Sequence, residues 1–449
     1  MFRYSDDDHG FVLQGDCLDE MARLGADSID AIVTDPPYGL SFMDKEWDHG
    51  VPGEHFWREA LRVAKPGAHL LAFGGTRTYH RLACAIEDAG WEIRDCLGWL
   101  YGQGFPKSLD VSKAIDKAGP LGQSPYAEFA SHYEERRLAC GLTHAAICEH
   151  GGWYRSVNHG GSSVNWANAY GYPTVAQWEV LQPLLGLDER WAEPVKREEY
   201  EREVIGQRDG NLLAVAPGQD NDRSATTLDI TAPATEAAQR WQGWGTALKP
   251  AWEPIILARK PLTTTVAGNV QRWGTGALNI DGCRVAWVSD TERSEVNART
   301  APNSRHLPEN SNGSTGWGSG RVRDRDDLTS PAGRWPANII HDGSDEVLSV
   351  FPGEGEKSES RFFYCAKASK KDRGEGNTHP TVKPTALMDY LVRLVTPPSG
   401  TVLDPFAGSG STGIAAMREN RRFILIEQDT AHCDIIVNRI KKETPDDQL

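Results

Sequence analysis

Short, almost wholly apolar runs punctuate both ends of the chain, each closing on turn residues. Near the start stand Gly10-Phe11-Val12-Leu13-Gln14, Asp30-Ala31-Ile32-Val33-Thr34, Ala68-His69-Leu70-Leu71-Ala72-Phe73 and Cys96-Leu97-Gly98-Trp99-Leu100. Near the end stand Thr401-Val402-Leu403 and Arg422-Phe423-Ile424-Leu425-Ile426. Successive side chains of a strand point to opposite faces, so a run that is apolar throughout must be covered on both, as a parallel sheet between helical layers is. Thr412 to Glu419 and Ala431 to Lys441 read as such helices. The expected class is therefore α/β, with one mostly parallel sheet shared by the two ends of the chain and helices on both faces.

The middle has another grammar. Residues 209–236 and 289–332 are rich in Gly, Asn, Ser, Asp, Thr and Pro, and read either as linkers or as loops that order on a partner. Within about 130–190, Thr143 caps a short helix carrying Ala145, Ala146 and Ile147, which Gly151-Gly152 breaks. A second helix runs from Ser162 to Asn168, and Gly171-Tyr172-Pro173-Thr174 starts a third over Val175 to Leu181. The pattern is open between a plain helical insert and a unit similar to the helix-turn-helix of Cro-type repressors, over about 134–187. The expected organisation is 1–118 as one half of the core, 119–240 as the helical insert, 241–288 as a return to the core, 289–332 as a flexible loop and 333–449 as the second half.

Composition excludes several classes. Among 449 residues there are 48 Lys+Arg and 63 Asp+Glu, a formal charge of −15, so bulk charge does not coat nucleic acid, although a local basic surface can still bind phosphates. No apolar run approaches the roughly 18–20 residues of a membrane span, and the start lacks a signal peptide, so no membrane is expected and the expected location is cytoplasmic. None of the eight cysteines forms a CxxC pair, which reads as reduced thiols. Cys140, His144 and Cys148 fall at helical spacing, but Gly141-Leu142-Thr143 breaks the helix between the first two, so they read as packing residues and no metal is expected. The cluster Lys367, Lys370, Lys371 and Arg373 is either a solvated face or a phosphate contact.

Two segments carry chemistry. The run ending at Thr34 is followed by Asp35-Pro36-Pro37-Tyr38, at the carboxyl end of a strand, where open α/β sheets bind ligands. The exocyclic amine of a nucleobase is a poor nucleophile because its lone pair is delocalised into the ring. The Asp35 carboxylate and the carbonyl of the rigid Pro36 would accept its two hydrogens and localise that pair. The Tyr38 ring offers a face on which a base swung out of a duplex can stack. The second segment, Asp404-Pro405-Phe406-Ala407-Gly408-Ser409-Gly410-Ser411-Thr412-Gly413, follows another strand, and its glycines let backbone approach a ligand at a helix N-terminus. The acid Glu427 ends the next strand, where a ribose hydroxyl would be held.

Together these segments resemble the DNA amino-methyltransferases that use S-adenosylmethionine (S-adenosyl-L-methionine), and their order is similar to that family's beta group. The resemblance implies a Rossmann-like methyltransferase sheet with circularly permuted motif order and an inserted target-recognition region. It covers about 1–118, 241–288 and 333–442. Leu13-Gln14-Gly15-Asp16-Cys17-Leu18 looks like the strand whose acid contacts the cofactor adenine, which assigns Asp16 with Cys17 beside it. His379-Pro380-Thr381-Val382-Lys383-Pro384 looks like the segment closing over the methionine end, which assigns Thr381 and Lys383. Asp35, Asp404, Phe406, Ala407, Gly408, Ser409, Gly410, Glu427 and Gln428 complete the implied cofactor site, and Asp35, Pro36, Pro37 and Tyr38 are the implied catalytic residues. Trp99 to Lys107 resembles the loop of the target-base pocket, assigning Trp99 and Gly104 beside Tyr38. Trp244 to Pro254 and Arg361 to Lys367 resemble segments of phage-type members. His432-Cys433 departs from an aromatic residue often found in the last helix, which bears on packing around the adenine.

The implied activity is methylation of adenine N6 in duplex DNA by base flipping. The related cytosine-N4 enzymes usually begin the tetrapeptide with Ser, so Asp35 favours adenine, with cytosine N4 as the alternative. C5 methylation needs a nucleophilic cysteine, normally after proline, and no cysteine here follows one. A non-catalytic DNA-binding regulator would have lost a polar catalytic residue, whereas Asp35 and Tyr38 are both present; methylation of RNA, or of protein glutamine with Asn first, is the remaining alternative. Arg155, Asn158, His159, Ser162, Ser163 and Asn165 are the candidate sequence-reading residues, and Lys367, Lys370, Lys371 and Arg373 the candidate phosphate contacts. A homodimer is implied by the beta group, and a separate restriction endonuclease is left open as a partner.

Overall fold

A computed structural model describes residues 2–6, 9–39, 50–102, 104, 108–118, 126–153, 161–169, 171–195, 204–209, 227–231, 236–294, 330–353, 355, 358–366 and 382–443. Its strands are β1 (Phe2–Asp6), β2 (Gly10–Gln14), β3 (Ile29–Thr34), β4 (Ala64–Phe73), β5 (Glu92–Leu100), β6 (Val204–Asp209), β7 (Thr227–Thr231), β8 (Trp252–Arg259), β9 (Ile339–His341), β10 (Tyr364–Cys365), β11 (Thr401–Asp404) and β12 (Arg422–Glu427). Ten of these form one sheet in the order β1-β2-β12-β11-β3-β4-β8-β5-β9-β10. Within this sheet, among the described residues, only β1 and β8 run antiparallel to their neighbours. The expected mostly parallel sheet is present, and its centre joins the two ends of the chain: β11 pairs with β3 through Val402↔Ala31 and Leu403↔Ile32.

Alternation along the strands builds two cores. Val33, Leu71, Phe73, Ile255, Leu257, Val402, Phe423 and Leu425 point to one face, where they meet Leu387, Met388 and Leu391 of the helix Thr385–Val395 and Ile414 and Ala415 of the helix Ser411–Arg418. Ile32, Leu70, Ala72, Ile256, Ala258, Leu403 and Ile426 point to the other, against Met21 of the helix Cys17–Ala22, Trp57 and Val63 of Glu54–Val63, and Leu82 and Ile86 of Tyr79–Asp88. Each Val, Leu, Ile, Phe or Met among them, fully removed from water, contributes about 1.5–3 kcal/mol, which is why strands that are apolar at every position need helices on both sides.

The chain divides into two compact units, 1–104 with 250–449, and 105–249. The inserted unit is wider than the expected 119–240, because the helices Val111–Ala118 and Glu236–Arg240 pack on each other and an isolated bridge pairs Asp110 with Gly245. Its core is aromatic: Phe129, Tyr133, Trp166, Trp178 and Trp191 are buried with Leu181 and Leu185. The expected helices are found at His144–Gly151, Gly161–Ala167 and Val175–Leu185. Thr143 accepts from the Ala146 N–H at 3.1 Å, and Thr174 forms a reciprocal capping box with Gln177. The antiparallel pair β6–β7 belongs to the same unit. No helix among the described residues is long and apolar enough to cross a membrane.

Candidate active site

The carboxyl ends of β2, β12, β11 and β3 lie side by side in a parallel run, so the turns that follow them open on the same edge of the sheet. There a cavity of about 1050 Å³ is lined by residues from every one of those turns. Gly15, Asp16 and Cys17 come from the turn after β2, Asp35 to Tyr38 from that after β3, Asp404 to Ser409 from that after β11, and Glu427 to Asp429 from the end of β12.

The turn after β11 is built by its acids. Asp404 is 3% exposed, accepting from Thr34 Oγ1 at 2.7 Å, Thr412 Oγ1 at 2.6 Å and the Phe406 N–H at 3.1 Å. Burial pushes its carboxyl up to about 6, against the hydrogen bonds of Thr412 and Thr34. Gly408 and Gly410 both adopt positive φ, 54° and 79°, and a Cβ on Gly410 would come 2.9 Å from Ile436. Gly410 is not a lining residue; it is needed for the turn behind the cavity. Glu427 accepts from the N–H of Gly408 at 2.8 Å and of Asp429 at 2.9 Å, tying the end of β12 to the glycine turn. Each carboxylate oxygen has a further acceptor position, so this structural role leaves capacity for a ligand hydroxyl. Asp16 caps the helix Cys17–Ala22, its Oδ1 accepting from the Leu18 N–H at 2.9 Å. Burial, with the Asp16 charge beside it, pushes the Cys17 thiol up to about 12, so no thiolate is on offer there.

Four further polar side chains that line the cavity converge on one another. Tyr38 Oη donates to Asp35 Oδ1 at 2.8 Å and lies 3.3 Å from Glu253 Oε2. Lys383 Nζ reaches Asp35 Oδ2 at 2.8 Å, Tyr38 Oη at 3.0 Å and Glu253 Oε2 at 3.2 Å. Burial opposes the Lys383 charge, but Asp35 and Glu253 outweigh it and hold the ammonium above its ordinary range. Burial and the same two carboxylates raise the Tyr38 phenol well above its ordinary value, so it stays protonated. Trp99 and Tyr101 stack at 4.8 Å and 29° along the wall. Two acids and one ammonium leave this cluster with one net negative charge, facing the cavity.

Cys17, Phe406, Ala407, Gly408, Ser409 and Gln428 line the cavity as expected site residues. Lys383, expected over the methionine end, lines the cavity and pairs with Asp35 and Tyr38. Gly104, expected in the base pocket, does not line the cavity; a Cβ there would fall 1.6 Å from the Pro250 carbonyl oxygen, so glycine is required by the close backbone approach. Ser163, expected to read DNA, is fully buried, paired with Tyr133 Oη and with His144 Nδ1 at 2.9 Å. Asn165 is exposed. Thr381, Arg155, Asn158, His159, Lys367, Lys370, Lys371 and Arg373 lie outside the described residues, as does the side chain of Ser162. Glu253 and Tyr101 were not anticipated. Glu253 sits in the segment Trp244 to Pro254, but its strand had not been recognised, and only the pairing of β8 between β4 and β5 carries the carboxylate to the cavity.

A family model described as DNA methylase, of the N6/N4 type, matches residues 224–438. The chain is similar to the Type II methyltransferase M.ScaI of Streptomyces caespitosus, 33% identical over 83 residues, 18% of this chain and 27% of that one. It is also similar to the Type II methyltransferase M2.LlaDCHI of Lactococcus lactis subsp. cremoris, 35% identical over 79 residues, 18% and 29% of the two chains. The chain thus spans less than a third of the length of these curated relatives. Among solved structures, the PvuII DNA methyltransferase (cytosine-N4-specific) aligns at 13% identity and a TM-score of 0.38, over 96% of this chain and 86% of that one.

Proposed function

We propose that this chain is a site-specific DNA methyltransferase that transfers a methyl group from S-adenosylmethionine to adenine N6 of a base flipped out of the duplex. The observation that carries the reading is one cavity lined by two unlike groups of residues: the glycine turn with Asp404 and Glu427, and the cluster of Asp35, Tyr38, Glu253 and Lys383. The family match and the two Type II relatives support the same class.

The first group fits the cofactor. Gly408 and Ser409 present little bulk, while Asp16 and Glu427 stand at adjacent strand ends with acceptor capacity for the adenine and the ribose. When bound, S-adenosylmethionine supplies a methyl group already activated on a cationic sulfur. Everything else is positioning and polarisation by the chain. Asp35 and the Pro36 carbonyl accept the two amine hydrogens of the flipped base and concentrate its lone pair, and Tyr38, Trp99 and Tyr101 supply aromatic surface beside it. The net negative charge of the cluster favours the positive charge that develops on the nitrogen.

Asp35 at the head of the tetrapeptide favours adenine over cytosine N4. Sequence reading falls to exposed side chains of the inserted unit, Asn165 among them; buried Ser163 is not one of these. The test is incubation of the purified chain with unmethylated duplex DNA and labelled S-adenosylmethionine, followed by nucleoside mass spectrometry. N6-methyladenine is the expected product; N4-methylcytosine would overturn the choice of base, and no product on diverse DNA would overturn the class.

A further inference from the structure

Transfer to an amine leaves a proton to be disposed of. The nitrogen lone pair forms the N–C bond as the C–S bond breaks with its pair leaving on sulfur; one N–H bond then breaks, its pair returns to nitrogen, and the proton goes to the hydrogen-bonded carboxylate, Asp35. For a second turnover Asp35 must lose that proton, yet Lys383 and Tyr38 occupy its neighbourhood. Lys383 is held as an ammonium and cannot accept it. The Tyr38 hydroxyl can, provided its own proton has somewhere to go.

Resting on the function proposed above, we propose that Glu253 is the sink for the amine proton, reached from Asp35 through the Tyr38 hydroxyl. The geometry is that of a two-step relay. Tyr38 Oη lies 2.8 Å from Asp35 Oδ1 and 3.3 Å from Glu253 Oε2, so one hydroxyl faces both carboxylates and can donate to only one at a time. Before transfer it donates to Asp35. Once Asp35 holds the amine proton, the direction reverses: Asp35 donates to the Tyr38 oxygen and Tyr38 passes its own proton to Glu253. The groups facing Glu253 are Lys383, Tyr38 and Tyr101, and Tyr101 also hydrogen-bonds it. The side chain is 18% exposed, so its proton can leave to water. The same residue explains why two acids share one ammonium. Asp35 and Lys383 alone would be neutral, and Glu253 supplies the negative charge that matches the positive charge travelling from sulfur to nitrogen to proton. Glu253 touches no reacting atom, so it is a positioning residue acting through Tyr38.

The experiment measures multiple-turnover methyl transfer from labelled S-adenosylmethionine to unmethylated duplex DNA by the full chain, from about pH 6 to about pH 9. Glu253→Gln keeps the shape and removes the acceptor. Its rate is expected to fall about 100-fold near neutrality, at the low end of the range for an acid–base group, and to recover toward high pH as hydroxide relieves Asp35. Its cofactor affinity should stay unchanged. Glu253→Asp should restore part of the rate at neutral pH, and Glu253→Gln combined with Tyr38→Phe should be no slower than the slower single variant, because the two act in series. A wild-type rate in Glu253→Gln, a deficit equal at every pH, or additive losses in the double variant would overturn the relay alone. A wild-type chain that binds the cofactor but methylates no DNA would overturn the proposed function and the relay with it.

Discussion

Asp404 holds a charge in a place where charge is costly, and the cost is measurable. Burial lifts its carboxyl from 3.8 to about 6, with the hydroxyls of Thr412 and Thr34 and the Phe406 N–H pulling the other way and the Asp35 charge adding to the lift. Between those values the folded chain binds the proton more tightly than the unfolded chain. The stability tied to the protonated carboxyl is therefore complete below about pH 4 and lost as the pH rises through about 6. Two units at about 1.4 kcal/mol each make the loss about 3 kcal/mol by neutral pH. Asp404→Asn abolishes the titration with little change of shape. Its Oδ1 still accepts from Thr34 and Phe406, and the Thr412 hydroxyl can turn to the Val33 carbonyl, 3.4 Å away, and accept from the new amide. In urea unfolding followed by circular dichroism at matched pH values, the variant-minus-wild-type difference in stability should move about 3 kcal/mol in the variant's favour between about pH 4 and about pH 7.5. Titrations common to both proteins cancel in that difference. A difference that stays flat, or that moves in the wild type's favour as the pH rises, would refute burial as the governing cause.

Asp35→Ala should abolish methyl transfer while labelled S-adenosylmethionine still binds in equilibrium dialysis; loss of both together would contradict the assigned role. Ser163→Ala leaves Tyr133 Oη and His144 Nδ1 without their buried partner, which should cost about 1–3 kcal/mol in chemical denaturation with DNA affinity unchanged; weaker DNA binding at unchanged stability would return Ser163 to the surface role. Gly410→Ala forces a side chain into φ 79° against Ile436, about 1–2 kcal/mol from the backbone alone. It should lower the melting temperature and weaken cofactor binding together, and an unchanged melting temperature would show that the turn relaxes.

Much of the sheet was legible because its signal is local. A run apolar at every position demands cover on both faces, and the runs at 10–14, 30–34, 401–403 and 422–426 all became neighbouring strands, in the order β2-β12-β11-β3. The strand β8 escaped for the opposite reason: Trp252–Arg259 mixes Trp, Glu, Pro and Arg with Ile and Leu, and its antiparallel place between β4 and β5 depends on partners distant in sequence. Glu253 was lost with it. Asp35, Tyr38, Asp404 and Glu427 could be read because each sits immediately beside a strand end within its own segment. Ser163 could not, since its burial depends on Tyr133 and His144 from two other helices. Lys383 was found, but not its company, because the ion pair with Asp35 spans most of the chain.

The hydrogen bond between Thr34 and Asp404 closes a loop of 370 residues across the middle of the sheet. During synthesis at about 5–20 residues per second, one edge of β3 therefore waits roughly 20–70 s for β11 to be made. Through that interval the nascent chain shows the ribosome's surroundings an apolar strand with a row of unpaired backbone groups, while the whole inserted unit is threaded out. A half-made chain has the tetrapeptide and no cavity for it to face. Yield in the cell should then depend on whatever shields that edge, and slowing translation after residue 104 should deepen the dependence rather than relieve it.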